Sequence, residues 1–252
     1  MAVDRPSLFI NSDMLAFRQT PAAEYRIPYT FVESLNEGTL FDRSARTFEE
    51  AARTQRLYDV VVGEDQRIIG AGMLQDTFKE ADGNHREEEL GALMVHPAAR
   101  GIGIVGLMIK LMLVHRYAVL RTSDTEEDYI AHVVDGNRGP IHALLAAGFE
   151  DLGPMKLHPG EFDGHIEHMI APGENYVPMH AYRFNRDAID NLIHDLWTFW
   201  HGGRELTRAD RNLRVEVDFS GMIDPAFLDA EVERIGPNCA STSAADGTLS
   251  HS

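Results

Sequence analysis

The chain has 252 residues, a hydrophobic fraction of 44%, a charged fraction of 25% and a formal net charge of −17. That is enough apolar material for a core without disulfide or metal staples, and a single cysteine, Cys239, permits no internal disulfide. Such acidity argues against a nucleic-acid backbone as partner, since phosphate binding needs clustered Lys and Arg; it suits a cationic acceptor such as an amine, or simply solubility.

Residues 1–10 lack the basic region and sustained apolar run of a signal peptide. Residues 12–18 predict a short helix behind a Ser12 cap. A helix follows over 47–56, where Thr47 and Glu50 have capping-box spacing. Residues 57–62 read as a strand, 63–66 as a turn and 67–74 as a second strand, completing a hairpin. A polar loop spans 77–87.

From Glu88 the chain changes character. Residues 90–95 are a continuous apolar run, as expected of a central strand buried on both faces, and His96-Pro97 ends it. Residues 101–117 predict a helix apolar nearly all round, hence buried. The apolar stretch within it, 102–114, is interrupted by Lys110 and falls short of the roughly 20 residues a bilayer span needs. A cytoplasmic protein with no membrane partner is therefore expected. An acidic loop at 123–128 leads to a strand over 129–134, a helix over 139–147 closed by Gly148, and a strand over 149–157. Residues 165–170 fit a strand or a short helix, and 178–184 a strand. An amphipathic helix over 187–200, a strand over 213–219 and a helix over 225–235 complete the ordered part. The sequence thus divides into a main domain at 1–184, a helix and strand extension at 185–236, and a tail at 237–252 whose low hydrophobicity predicts disorder. Cys239 is read as a residue of that tail.

The chemistry concentrates in one unit of strand, turn and helix, from Leu90 through His96-Pro97 to Arg100-Gly101-Ile102-Gly103-Ile104-Val105-Gly106. Glycines at a helix start leave backbone N–H groups bare and let a phosphate approach, and the helix dipole favours negative charge there. Arg100 adds a cation. Gly101, Gly103 and Gly106 also satisfy the dinucleotide-binding spacing, but that fold wants the glycines after an early strand and an acid about 20 residues on. Here two strands and a helix come first, and the later position holds Leu120–Arg121. The nucleotide reading ranks second.

Val95-His96-Pro97 with the Arg100–Val105 run resembles motif A of the GNAT superfamily of acyl-CoA N-acyltransferases, and Asn137 with Gly148-Phe149-Glu150 resembles its motif B. The similarity covers about residues 47–157. It implies an α+β fold with a mixed, mostly antiparallel sheet flanked by helices and opened at its middle. It implies that main-chain groups of Leu93, Met94 and Val95 run beside a pantetheine arm. Amides of Arg100, Gly101, Ile102, Gly103, Ile104 and Val105 would hold a pyrophosphate, and Asn137 would touch the pantetheine or help splay the strands. The cofactor would be acetyl-CoA or another acyl-CoA. The reaction would be direct attack by a primary amine of a small molecule, in a ternary complex, with a main-chain N–H near Met94–Val95 stabilising the oxyanion. Two positions depart from the pattern: Val105 stands where the motif has Gly or Ala, and Leu144 where relatives carry the tyrosine that protonates the leaving thiolate. Tyr129, Tyr176 and Tyr182 are substitutes by residue type.

For the base, Glu89 opens the central strand where relatives often place a catalytic glutamate, and alternation puts it on one face with Gly91, Leu93 and Val95. Partial burial would raise its pKa towards neutrality; a solvated strand start is the plainer alternative, and His96 is a second candidate. His165 and His168 have i, i+3 spacing, but no Cys or Glu-x-x-His pattern supports a metal, so no metal is expected. The run Trp197–Trp200 is read as core or as a contact in a homodimer. A fainter similarity to arginine N-succinyltransferases rests on residues 91–100, Gly139-Pro140 and residues 162–172. A GNAT-like domain that only binds acyl-CoA, or serves as an interaction module, is the rival that Val105 and Leu144 motivate.

Overall fold

The computed structural model describes residues 14–36, 38, 40–63, 66–79, 85–123, 126–160, 166–208 and 213–236. The expected disordered tail, Cys239 and His165 fall outside them. Among the described residues, nine strands form one sheet in the order β6-β7-β5-β4-β3-β2-β1-β9-β8. They are β1 (Met14–Gln19), β2 (Leu57–Val62), β3 (Arg67–Lys79), β4 (His85–Val95), β5 (Glu126–Val134), β6 (Phe149–Leu157), β7 (Val177–Phe184), β8 (Glu205–Arg208) and β9 (Leu213–Asp218). Only β4–β5 and β1–β9 pair in parallel; the other neighbours are antiparallel. The fold is therefore α+β with a mixed, mostly antiparallel sheet, as the motif resemblance implies.

Helices cover both faces. Helices α1 (Arg26–Leu35) and α2 (Ala45–Arg53) pack Phe31, Val32, Phe48, Ala51 and Ala52 onto one face, against Leu57, Ala71, Met73, Ala92 and Met94. On the other face lie α3 (Ile104–Leu120), α4 (Arg138–Ala146), α5 (Ile189–His201) and α6 (Pro225–Ile235). Their main partners on the sheet include Tyr58, Val60, Ile69, Leu90, Val95 and Phe184. The expected burial of α3 holds, with Met108, Ile109, Leu111, Met112, Leu113 and Val114 fully buried, but the helix runs over 104–120 and not 101–117, because the turn with left-handed Gly101 and Gly103 precedes it. At about 1.5–3 kcal/mol for each large apolar side chain buried, this helix dominates the core.

Three local expectations are corrected. The helix expected over 12–18 is not formed by its described part; 14–19 are strand β1, because Leu15 and Phe17 alternate inward and the backbone pairs with β2 and β9. Helix α2 is capped by Ser44, whose Oγ accepts from Thr47 N–H at 3.2 Å, so Thr47 sits inside the first turn. Part of the expected 77–87 loop is strand, since β3 runs to Lys79 and β4 begins at His85. Helix α1 and strand β8 had no counterpart in the sequence reading. Pro28 hides α1, although proline is tolerated in a first turn whose N–H groups lack partners anyway. Residues 167–169 form a 3₁₀ turn. The segment after 185 joins the same sheet, through β9 beside β1.

Candidate functional site

The site begins where two central strands part. Strands β4 and β5 pair from His85–Glu126 to Glu89–Ile130 and no further. Beyond that point β4 stays with β3 and β5 stays with β7. A bulge sharpens the fork: Ala71 faces Met94 and Met73 faces Gly91, so Ala92 and Leu93 together oppose Gly72, with Ala92 at φ +51°. The extra residue switches faces. Glu89, Gly91, Ala92 and Met94 look towards α1 and α2, whereas Leu93 and Val95 look towards α3. Strict alternation had put Glu89, Leu93 and Val95 together, and the bulge separates them. A small cavity of about 60 Å³ fills the fork, lined by Leu93, His132, Asn137 and Leu144 among others.

At the far end of β4 the chain turns into α3. The His96 ring accepts from Ala98 N–H at 3.2 Å, capping a 3₁₀ turn over Pro97–Ala99. Arg100 Nε donates to Val95 O at 3.2 Å, tying its stem to the strand end. Gly101 and Gly103 are left-handed, at φ +82° and +92°, which explains the glycines. Buried Ile102 and Ile104 pin the turn between them. Leu107 N–H is bonded to Gly103 O at 3.0 Å, so the N–H groups of Gly103–Gly106 precede the helix ladder and present its positive end. A Cβ on Gly106 would meet nothing within 4 Å. Val105 packs against the core, so the departure from the motif adds bulk on the protein side.

Glu89 is 1% exposed and fully engaged. Arg43 Nη2 donates to its Oε2 at 3.1 Å, and His132 Nδ1 lies 3.0 Å from its Oε1. Arg43 also donates to Gln75 Oε1. Burial pushes the Glu89 carboxyl up, but Arg43 and His132 outweigh it and hold the group below the ordinary glutamate range. The sequence expectation of a raised pKa therefore reverses, because burial here comes with a buried guanidinium. Beside this group opens a cavity of about 720 Å³ lined by Tyr29, Glu33, Asp42, Arg43, Phe48 and Ala92. Phe41 and Ala92 line both cavities, so they meet at the bulge.

The sequence missed Arg43, His132, Tyr29 and Asp42. His132 could have been found, because it sits two residues beyond Ile130, the parallel partner of Glu89. Arg43 lies in a loop, and no local pattern marks it. Leu144 is 1% exposed and lines the fork. Of the substitute acids, Tyr129 is on the α3 face with its hydroxyl donating to Glu127 at 2.7 Å, and burial raises its pKa well above the usual range. Tyr182 is buried on β7 with its pKa raised by burial, and Tyr176 packs under Lys156. None of the three lines the fork. Asn137 occupies the N-cap position of α4 at the fork, with no side-chain hydrogen bond to the helix. Among the described residues, no three His, Cys, Asp or Glu side chains gather as a metal set.

Behind the closed part of the fork lies a buried ionic cluster. Arg56 Nη2 contacts Glu88 Oε1 at 2.5 Å, and Arg116 Nη2 contacts Glu127 Oε1 at 2.6 Å and Glu88 Oε1 at 3.5 Å. Burial pushes Glu88 up to about 8, while Glu127 is held below the usual range despite its burial, chiefly by Arg116.

No protein-family model matches the chain, and no curated protein matches it. Solved structures similar to it include an acetyltransferase of the GNAT family from Streptococcus pneumoniae, at 12% identity over 67% of this chain and 98% of that one, with a TM-score of 0.46. An N-acetyltransferase from Staphylococcus aureus Mu50 is 16% identical over 68% of this chain and 97% of that one, with a TM-score of 0.47. The NatC complex bound to Gag peptide and CoA is 11% identical over 68% of this chain and 98% of the matched chain, with a TM-score of 0.49. Among the described residues, no helix is long and apolar enough to cross a membrane.

Proposed function

We propose that the protein is an acyl-CoA-dependent N-acyltransferase that moves an acyl group, acetyl in the simplest case, to a primary amine of a small molecule. The observation that carries this reading is the fork between β4 and β5 leading to the glycine-lined start of α3. An extended arm bearing amides suits a strand edge released from its neighbour, and a pyrophosphate suits a helix N-terminus with two left-handed glycines. The residues present fit acyl-CoA in this way. When bound, it supplies a thioester carbonyl as the electrophile.

The chain's own groups then have assignable tasks. Main-chain groups of Leu93, Met94 and Val95 align the arm. Amides of Arg100–Val105 and the Arg100 guanidinium hold the phosphates, and Asn137 borders the arm from α4. A main-chain N–H near Met94–Val95 stabilises the developing oxyanion. The larger cavity receives the acceptor, and the carboxylates of Glu33 and Asp42 on its wall favour a cationic amine. The Arg43–Glu89–His132 chain, beside the junction of the two cavities, supplies the base.

Calorimetric titration with acetyl-CoA, succinyl-CoA and free CoA, repeated with Arg100→Glu, tests this reading. Micromolar binding that the variant loses supports it, and a preference for succinyl-CoA would move the reading towards an arginine-type N-succinyltransferase. No binding of any CoA species to folded wild-type protein overturns it. A second reading, acyl-CoA binding without transfer, rests on Leu144, which leaves the fork without the usual proton donor. Thiol release with a panel of amines separates the two.

A further inference from the structure

Glu89 has the carboxylate that a base needs, but its surroundings leave it nothing to do with an acceptor directly. Both oxygens are spoken for, one by Arg43 and one by His132, and the side chain has almost no surface. His132 is placed differently. It is 17% exposed and lines the fork cavity with Ala92 and Leu144. Facing an ionised carboxylate, which can only accept, its Nδ1 must carry the proton and donate it to Glu89 Oε1. In the neutral ring the lone pair then belongs to Nε2, which has no partner among the described residues.

We propose that His132 Nε2 accepts the acceptor amine's proton and that Glu89, itself held by Arg43, is a positioning residue that fixes the ring and its tautomer. This deepens the acyl-transfer reading and rests on it. The bound ammonium first releases one proton to water; the freed lone pair bonds to the thioester carbon, and a second N–H bond breaks as its proton passes to Nε2. The C–S bond then breaks, with its electron pair leaving on sulfur, and the proton on Nε2 returns to that thiolate or to water. His132 would thus serve both transfers at a site where Leu144 can serve neither. Among the described residues, the following charged groups stand near the ring. Glu89 faces it from β4 and Arg43 stands behind Glu89. On the same sheet face, Arg183 of β7 is paired opposite Ile130 and lies 3.9 Å from Glu87.

The test combines three measurements on the full chain: acetyl-CoA binding by calorimetry, pH–rate profiles of thiol release with a panel of primary amines, and the ring nitrogens of labelled histidine by NMR. His132→Gln is expected to bind acetyl-CoA like wild type, to lose turnover roughly 10²–10⁴-fold, and to lose the acid limb of the profile. Glu89→Gln is expected to lower kcat while the limb persists, and to release the fixed Nδ1–H tautomer in the NMR spectrum. A merely structural His132 would leave the limb in place. The proposal is overturned if His132→Gln keeps wild-type turnover with the same limb, if the limb disappears only with Glu89, or if the wild-type ring carries its proton on Nε2. It also fails if wild-type protein binds acetyl-CoA yet turns over no amine of the panel. Failure of wild-type protein to bind any CoA species would instead sink the acyl-transfer reading itself.

Discussion

Gly91 and Arg43 are in such close contact that a Cβ on the glycine would stand 2.6 Å from Arg43 Nη2. The missing side chain is the space in which the guanidinium reaches Glu89. Arg43 is itself buried, so it has little room to step aside. Gly91 is thus a condition for the charge on Glu89, although nothing about its own chemistry suggests a role.

Gly91→Ala should therefore displace the guanidinium and weaken the Arg43–Glu89 pair. Overpacking of this kind costs about 1–3 kcal/mol, which a shift in the urea midpoint would show. The functional loss should be larger than the stability loss, because Glu89 would then be buried beside a displaced cation and His132 would lose its anchor. Thiol release and urea unfolding on the same preparation check this. A variant that loses stability but keeps wild-type kcat would show that the pair has no catalytic consequence.

Arg43→Met tests the same pair from the other side. Removing one partner of a buried ion pair is typically worth about 3–5 kcal/mol, because the remaining charge is stranded. With Arg43 present, the folded-state pKa of Glu89 lies below its unfolded value. Its contribution is then present above the unfolded glutamate pKa and is lost as pH falls through the folded one. Arg43→Met should erase that contribution, so wild type and variant should converge in stability as pH falls below the unfolded glutamate value of about 4.3 and through the lower folded one. Urea midpoints across pH 3–7 read this directly, and a constant gap over the range would count against it.

How much of this was legible before the structure depends on whether the signal is local. The Gly101–Gly103 turn and α3 are written in consecutive residues, so they could be read. So could the hairpin of β2 and β3, bounded by turn residues at 63–66. Strand β1 could not, because its fate is decided by β2 and β9, which lie far along the chain. The bulge at Ala92 was equally hidden: the run from Leu90 to Val95 is apolar throughout, so no polar residue betrays the change of face. Glu89 was found from its place on the strand, but its pKa direction was inferred from burial alone. The reversal comes from Arg43, 46 residues away.

Glu88, one residue from Glu89 but on the opposite face, should behave in the opposite sense. Burial pushes it up to about 8, against a usual unfolded value of about 4.3. Between those values the folded protein holds a proton that the unfolded chain has released. Stability from this group therefore falls as pH rises through that window. Glu88→Gln keeps an oxygen for Arg56 and cannot ionise, so its stability should decline less between pH 5 and pH 8. Urea midpoints for both proteins at pH 5, 6.5 and 8 measure the difference, and parallel declines would mean that Glu88 is already ionised at pH 5.

Gly106 separates stability from cofactor affinity. It sits in the first turn of α3, and an added Cβ would meet no neighbouring atom within 4 Å. Ala is favoured over Gly in a helix by about 1 kcal/mol, so Gly106→Ala should raise Tm by a few degrees at most. The same methyl would project beside the amides assigned to the pyrophosphate, where open space is what a ligand requires. Acetyl-CoA should then bind several-fold more weakly to a more stable protein. Tightly paired thermal and calorimetric measurements decide the matter. A rise in Tm with unchanged affinity would place the phosphates away from the start of α3, and the assignment of the Arg100–Val105 amides would have to move with them.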